Sequence, residues 1–275
     1  MIDFILKVLK KLNVKIFNDA LIERKHYNLI SQSGFSIHKD NRYYIVDALS
    51  LKVHLRINSS DILVFNQIFL NEEYKYVVDL IAKNKIEVKA IVDLGSNIGL
   101  SALYFRRHFP NSLIVCVEPD KDNFEILEQN TLINKVSNFT LINAGIWHTN
   151  TDLSINRDFR DRKSWSITLD ENHDDSLQNS NIKGITIDHL IDQQKIDKID
   201  FLKIDVEGAE RYLFDVSIAS LNFLNNLKVL AIELHEEFIK EDDFNALLLK
   251  HDFTIFNSGE LTICIKNTEL AKNKV

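Results

Sequence analysis

From residue 86 to the end of the chain, short apolar runs alternate with stretches in which apolar positions recur every three or four residues. Runs bounded by polar or glycine-rich breaks read as strands buried on both faces, and the intervening periodicity reads as amphipathic helix. The predicted strands are 90–94, 113–118, 139–144, 199–205 and 228–234, with helices starting at Gly99, Asp122 and Glu207 and another over Glu241–Lys250. That order specifies an α/β fold with a parallel sheet covered on both faces. Phe253-Thr254-Ile255-Phe256 and Leu261-Thr262-Ile263-Cys264-Ile265 flank Asn257-Ser258-Gly259-Glu260, which predicts a terminal antiparallel hairpin closing the sheet. The connection from Thr149 to Ile185 is too long for a simple crossover and is expected to lie as a loop over the active site, with Asp170–Asn181 as a solvated stretch.

Upstream the pattern changes. Tyr43-Tyr44-Ile45-Val46 and Leu51–Ile57 are strand-like, whereas Asn71-Glu72-Glu73-Tyr74 followed by Val77, Val78 and Ile81 predicts a helix leading to the first core strand. The polar break Lys83-Asn84-Lys85 sets a boundary near residue 85, giving an N-terminal α+β cap over 1–85, which would bind the acceptor or support oligomerisation, and a catalytic domain over 86–275. Ile5, Val8, Leu9 and Leu12 follow helical spacing among Lys7, Lys10 and Lys11. That segment either packs on its own domain or lies on an anionic membrane surface. No apolar run is long enough to span a bilayer, and the N-terminal segment reads as neither signal nor anchor.

Composition narrows the class. The formal net charge of −7 and the lack of a basic tract with interleaved aromatics exclude general nucleic-acid binding. Cys116 and Cys264 each sit in an apolar strand-like run, as buried small hydrophobes do, and suit a reducing cytoplasm.

The richest chemistry is in Ile91-Val92-Asp93-Leu94-Gly95-Ser96-Asn97-Ile98-Gly99, a strand that breaks into glycines and resumes as Leu100-Ser101-Ala102-Leu103-Tyr104-Phe105. Such a turn lets a ligand approach backbone bare of Cβ and points helix N–H groups at it. A dinucleotide fingerprint from Gly95 would need glycine at Asn97 and Leu100, so NAD is disfavoured, and no Gly-Lys-Ser/Thr follows for a phosphate loop. S-adenosylmethionine matches better: it has no phosphate and carries a sulfonium, so an acidic strand end such as Asp93 helps. An ordinary strand-to-helix turn is the plain alternative. Leu113–Val117 ends in Glu118-Pro119-Asp120, and an acid about twenty residues beyond the glycine turn, at a strand's carboxyl end, is suited to ribose hydroxyls. Glu118 is that acid, and Asp120 is the better helix-starting residue.

Ile199–Glu210 reads as a strand running into a helix, with Lys203 and Asp205 on one face. Beyond the strands' carboxyl ends they would share a crevice with Gly95 and Glu118, as a catalytic pair or as a purely structural one. Glu207 and Glu210 fall in a helical first turn, where acids gain from the macrodipole without catalytic duty. Val229–His235 likewise ends with Glu233 and His235 on one face. With Asp205 these could form a general-base cluster for a hydroxyl, or could hold a divalent cation, for which two carboxylates and a histidine are a thin set.

Together, Asp93–Gly99, Val117-Glu118-Pro119, Ile187-Asp188-His189-Leu190, Lys203–Glu210 and Ile232-Glu233-Leu234-His235 resemble the FkbM family of S-adenosylmethionine-dependent methyltransferases, and Asp61–Phe69 with Glu73-Tyr74 is similar to the family's lead-in. The resemblance covers nearly all of the chain. It implies a Rossmann-like class I fold with a seven-stranded, mostly parallel sheet whose last strand is antiparallel, and O-methylation of a sugar, glycan or natural-product hydroxyl. It further implies that Asp93, Gly95, Asn97, Gly99, Ser101 and Glu118 hold the methyl donor, with Asn143 and Ala144 near its adenine. Asn143 stands where many methyltransferases carry an acid. Asp205 or His235 would be the base, with Glu233 beside it, and Lys203 would hold Asp205 ionised or contact substrate. Arg56, Tyr74, Trp165 and Glu207 are acceptor-pocket candidates, each also readable as a packing or surface residue. Two rivals are a non-catalytic binding module, against which intact Asp93, Gly95, Gly99 and Glu118 argue, and an NAD-dependent oxidoreductase.

Overall fold

The computed structural model describes residues 21–156, 168–170, 181–206, 208–235 and 237–272. They fall into two units, Met1–Glu72 and Glu73–Val275. In the first, a helix (α1) covers residues 21–32. It is followed by a three-stranded antiparallel sheet of β1 (Ser36–Lys39), β2 (Tyr43–Ala48) and β3 (Leu51–Arg56). Alternation buries Tyr44, Val46 and Ala48 on one face of β2, and register sets Tyr44 and Val46 opposite Leu55 and Val53. A short helix α2 (Asp61–Phe65) then widens into a π-helical turn, Asn66–Leu70.

The second unit begins with helix α3 (Lys75–Lys83), whose buried Val77, Val78, Leu80 and Ile81 form one stripe. Its main sheet is built from β4 (Ala90–Leu94), β5 (Leu113–Val117), β6 (Phe139–Ile142), β11 (Ile199–Ile204), β12 (Leu227–Glu233), β13 (Phe253–Ser258) and β14 (Leu261–Lys266). The spatial order is β13-β14-β12-β11-β4-β5-β6, and only β14 runs against its neighbours. The seven-stranded α/β sheet with an antiparallel last strand is therefore present. Its central strands are almost wholly buried, since helices α4 (Leu100–His108), α5 (Lys121–Ile133), α6 (Ile187–Gln194) and α8 (Glu241–Lys250) alternate with them. Caps fix two helix starts: the side chains of Asp120 and Thr186 accept from the backbone N–H of Asn123 and His189.

Three expectations change. The strand predicted over 139–144 ends at Ile142, and Gly145–Ile146 (β7) belongs to a second sheet. That sheet, in the order β7-β10-β8-β9, also takes β8 (Thr151–Asn156), β9 (Thr168–Asp170) and β10 (Asn181–Ile185), so the connection read as a loop carries three strands. Leu153 packs closely over its backbone: a Cβ on Gly184 would stand 2.7 Å from a Leu153 methyl. Trp147, Leu153, Ile182 and Ala209 make a small core there. The helix predicted from Glu207 is described only over Glu210–Leu213 (α7), and Glu207 itself, like residues 171–180 and the N-terminal segment 1–12, lies outside the described residues.

Candidate functional site

The β4–α4 turn is shaped by its glycines. Gly95 and Gly99 have φ of +75° and +85°, a region only glycine enters cheaply, and Asn97 also has positive φ. A Cβ at Gly95 would lie 1.8 Å from the Asp205 carbonyl oxygen, so the turn and the end of β11 are in backbone contact. The amides of the turn itself are taken up within the protein. Gly95 and Ser96 donate to the Val117 carbonyl, Asn97 to Glu118 and Gly99 to Ser96, so the turn is tied to β5 and to itself.

Glu118 sits at the end of β5, 5% exposed. Its Oε2 accepts from the Asn97 N–H at 2.8 Å, and its Oε1 accepts from the Asp120 N–H at 2.9 Å and the Asn123 side-chain amide at 3.3 Å. Burial nevertheless pushes its pKa up to about 7, outweighing the amide donors. Two carboxylate oxygens offer about four acceptor directions, so three donors leave room for one more, such as a ribose hydroxyl. The Asn143 side-chain amide donates to the Glu118 and Pro119 carbonyls, and Ala144 is buried beside it. Asn143 thus fixes the loop after β5.

Register brings Lys203 of β11 directly beside Asp93 of β4, a pairing no local pattern reveals. Both are essentially excluded from solvent, with Lys203 Nζ 3.2 Å from Asp93 Oδ1 and 3.5 Å from Asp205 Oδ2. The ammonium donates to the Gly95 carbonyl at 2.7 Å, and the Ser101 hydroxyl donates to Asp93 Oδ2 at 2.6 Å. Burial alone would lower the Lys203 pKa; Asp93, then Asp205, outweigh it and hold the amine protonated, above its ordinary value. Asp205, one-third exposed, is the member of this cluster that meets solvent.

Along β12 a second cluster forms. His235 Nδ1 lies 2.5 Å from Glu210 Oε1, both buried, and His235 Nε2 lies 3.8 Å from Glu233 Oε1. Burial, then Asp205, raises the Glu233 pKa to about 8. Glu233 and His235 line a cavity of about 490 Å³ together with Glu237, Glu241, Gly259 and Glu260. Glu210 is the member that sequence reasoning assigned only to a helical first turn. Tyr74 is buried with its ring 5.0 Å from Phe105, and burial, then Glu73, raises its hydroxyl pKa. Arg56 is in the first unit, where Asp61 binds its guanidinium at two points, 2.9 and 2.8 Å. Trp165 and Glu207 lie outside the described residues. Among the described residues no group of three or more His, Cys, Asp or Glu is arranged to hold a metal ion.

The chain matches the family model of the methyltransferase FkbM domain over residues 93–260. It is 27% identical over 136 residues to "Methyltransferase 1" of Beauveria bassiana (44% of this chain, 55% of that protein), and 26% identical over 147 residues to "Methyltransferase sdnD" of Sordaria araneosa (44% and 57%). The matches thus span only about half the length of these curated relatives. Among solved structures it is similar to a precorrin-6y C5,15-methyltransferase from Geobacter metallireducens (12% identity, TM-score 0.40, covering 70% of this chain and 88% of that one). M. jannaschii TYW2 in complex with AdoMet is similar at 9% identity (TM-score 0.38, 83% and 87%). The family match opens at the buried Asp93 and runs past both charged clusters to the hairpin residue Glu260, well over half of the chain, and the chain belongs to the FkbM methyltransferase domain family.

Proposed function

We propose that this chain methylates a hydroxyl of a sugar, glycan or natural product, with S-adenosylmethionine as the donor. The observation that carries the reading is one crevice edge: the Asp93–Gly99 turn stands between Glu118 on β5 and the Lys203–Asp205 pair on β11. S-adenosylmethionine, when bound, supplies a methyl group on a sulfonium sulfur that a hydroxyl oxygen can displace. Glu118 would accept a ribose hydroxyl at its remaining acceptor position, and Asn143 would hold the adjoining loop for the adenine. Two acids, Asp93 and Asp205, flank the single cation Lys203, an excess of acid suited to a cationic donor. The proton released by the hydroxyl would go to Asp205 or His235.

Calorimetry with S-adenosylmethionine and S-adenosylhomocysteine tests the donor. No binding at millimolar concentration refutes the reading. For the acceptor, candidate glycans incubated with isotope-labelled donor should gain a methyl on oxygen by mass spectrometry. With an acceptor in hand, D205N and H235A should each lose turnover while keeping donor binding; unchanged turnover in both removes them from the chemistry.

A further inference from the structure

We propose that Glu210 is a positioning residue for His235, holding the imidazole with its Nδ1–H on the Glu210 carboxylate and its Nε2 toward Glu233 at the cavity wall. The inference rests on the methyltransferase reading only for its role in turnover; the geometry stands apart from it. Glu210 is wholly excluded from solvent, and its Oε1 meets His235 Nδ1 at 2.5 Å. A carboxylate in that position is expensive unless something charged or strongly donating faces it. An imidazole whose Nδ1–H points at the carboxylate meets that need, and the tautomer is then fixed: Nε2 becomes the basic nitrogen. Nε2 faces the Glu233 carboxylate at 3.8 Å, and Glu233, a quarter exposed, lines the cavity together with His235.

The row Glu233–His235–Glu210 therefore runs from the cavity wall into the core. A proton released by an acceptor hydroxyl and taken up at Nε2 leaves an imidazolium against a buried carboxylate. The transfer moves one proton and forms no other bond. The charged groups acting on this row come from several elements: Asp205 follows β11, Glu260 lies in the β13–β14 turn, and Glu73 precedes α3, all acidic and all pushing Glu233 toward its protonated form. Asp205 opens a rival route for the proton, and the Glu210 contact distinguishes the two because only His235 depends on it.

The test is 15N NMR of protein labelled at its histidine rings, with His235 assigned by the signals missing in H235N. In the native protein the neutral His235 ring should carry its proton on Nδ1. A neutral ring with its proton on Nε2 overturns the proposal, and this readout needs no variant that folds poorly. In E210Q the proton affinity of His235 should fall at least tenfold, and E210D should restore part of it. An affinity within twofold of native in E210Q, in protein that still binds S-adenosylhomocysteine, would leave Glu210 as a packing residue only. Calorimetry on the same samples separates the two claims. A native protein that binds no donor sinks the methyltransferase reading and leaves the ring measurement standing, while donor binding with the wrong tautomer does the reverse.

Discussion

Gly95→Ala is the sharpest probe of how the turn is built. Two costs can be worked from the structure. Holding alanine at φ +75° costs about 1–2 kcal/mol, because an L side chain then crowds its own backbone. The new Cβ would also stand 1.8 Å from the Asp205 carbonyl oxygen, and a separation of 3.0 Å requires that carbonyl to give way by 1.2 Å. It cannot do so freely: the Asp205 N–H is bonded to the Leu94 carbonyl at 3.1 Å, and the preceding Ile204 is in register with Leu94. Overpacking of this kind costs about 1–3 kcal/mol. The sum is about 3 kcal/mol, or roughly 6–12 °C in melting temperature for a unit of this size. Gly259→Ala is the control, since its φ is +60° but nothing lies within 4 Å of a Cβ there, leaving strain alone. Urea unfolding followed by circular dichroism should place G95A about 2 kcal/mol below G259A. Equal stabilities would show that the close approach of β4 and β11 is wrong.

Three further outcomes follow from the buried charges. Glu118 has a folded pKa of about 7, above its ordinary value, so the folded form keeps a proton the unfolded chain has released; its contribution is complete below about pH 4.5 and is lost as pH rises through 7. Between pH 4 and 8 the native protein should lose about 3 kcal/mol relative to E118Q, and parallel pH profiles would refute the assignment. Lys203→Met leaves Asp93 buried without its cation and should destabilise by about 3–5 kcal/mol in urea unfolding; a loss under about 1 kcal/mol would mean that the ion pair supports nothing. Chelator should leave the melting temperature and donor binding unchanged, whereas a lower melting temperature would reveal a structural metal.

The strand ends were legible because an apolar run that stops on a charge is conspicuous: Val117 to Glu118, Ile204 to Asp205 and Ile232 to Glu233 all announce themselves. The pairing of Lys203 with Asp93 was not, since β11 enters the sheet beside β4 only through the topology, 110 residues later. Glu210 was hidden differently. An acid in a helical first turn has a sufficient local explanation, and nothing local says that its carboxylate meets a histidine 25 residues on. The second sheet left a usable signal in Thr151-Asp152-Leu153-Ser154-Ile155-Asn156, which alternates as a half-buried strand does, but the polar stretch that follows made the whole connection read as loop.

How the charges are shared out says more than where they lie. Asp93, Glu118, Lys203, Glu210 and His235 are each more than nine-tenths buried near the carboxyl ends of the parallel strands, where each bare charge would cost several kcal/mol. Four of them pair off, Asp93 with Lys203 and Glu210 with His235, and Glu118 is met by amide donors and a raised pKa instead. The partly exposed Asp205 and Glu233 then face outward, and repulsion from Asp205 adds to burial in lifting Glu233 to about 8, so that this carboxyl is mostly protonated at neutral pH. Compensation is thus complete inside and incomplete at the rim. An interior that needed only stability would do better with apolar residues at these strand ends. An acidic rim propped from behind by paired charges instead suits the binding of a cation and the capture of a proton, the two tasks that the proposed methyl transfer sets.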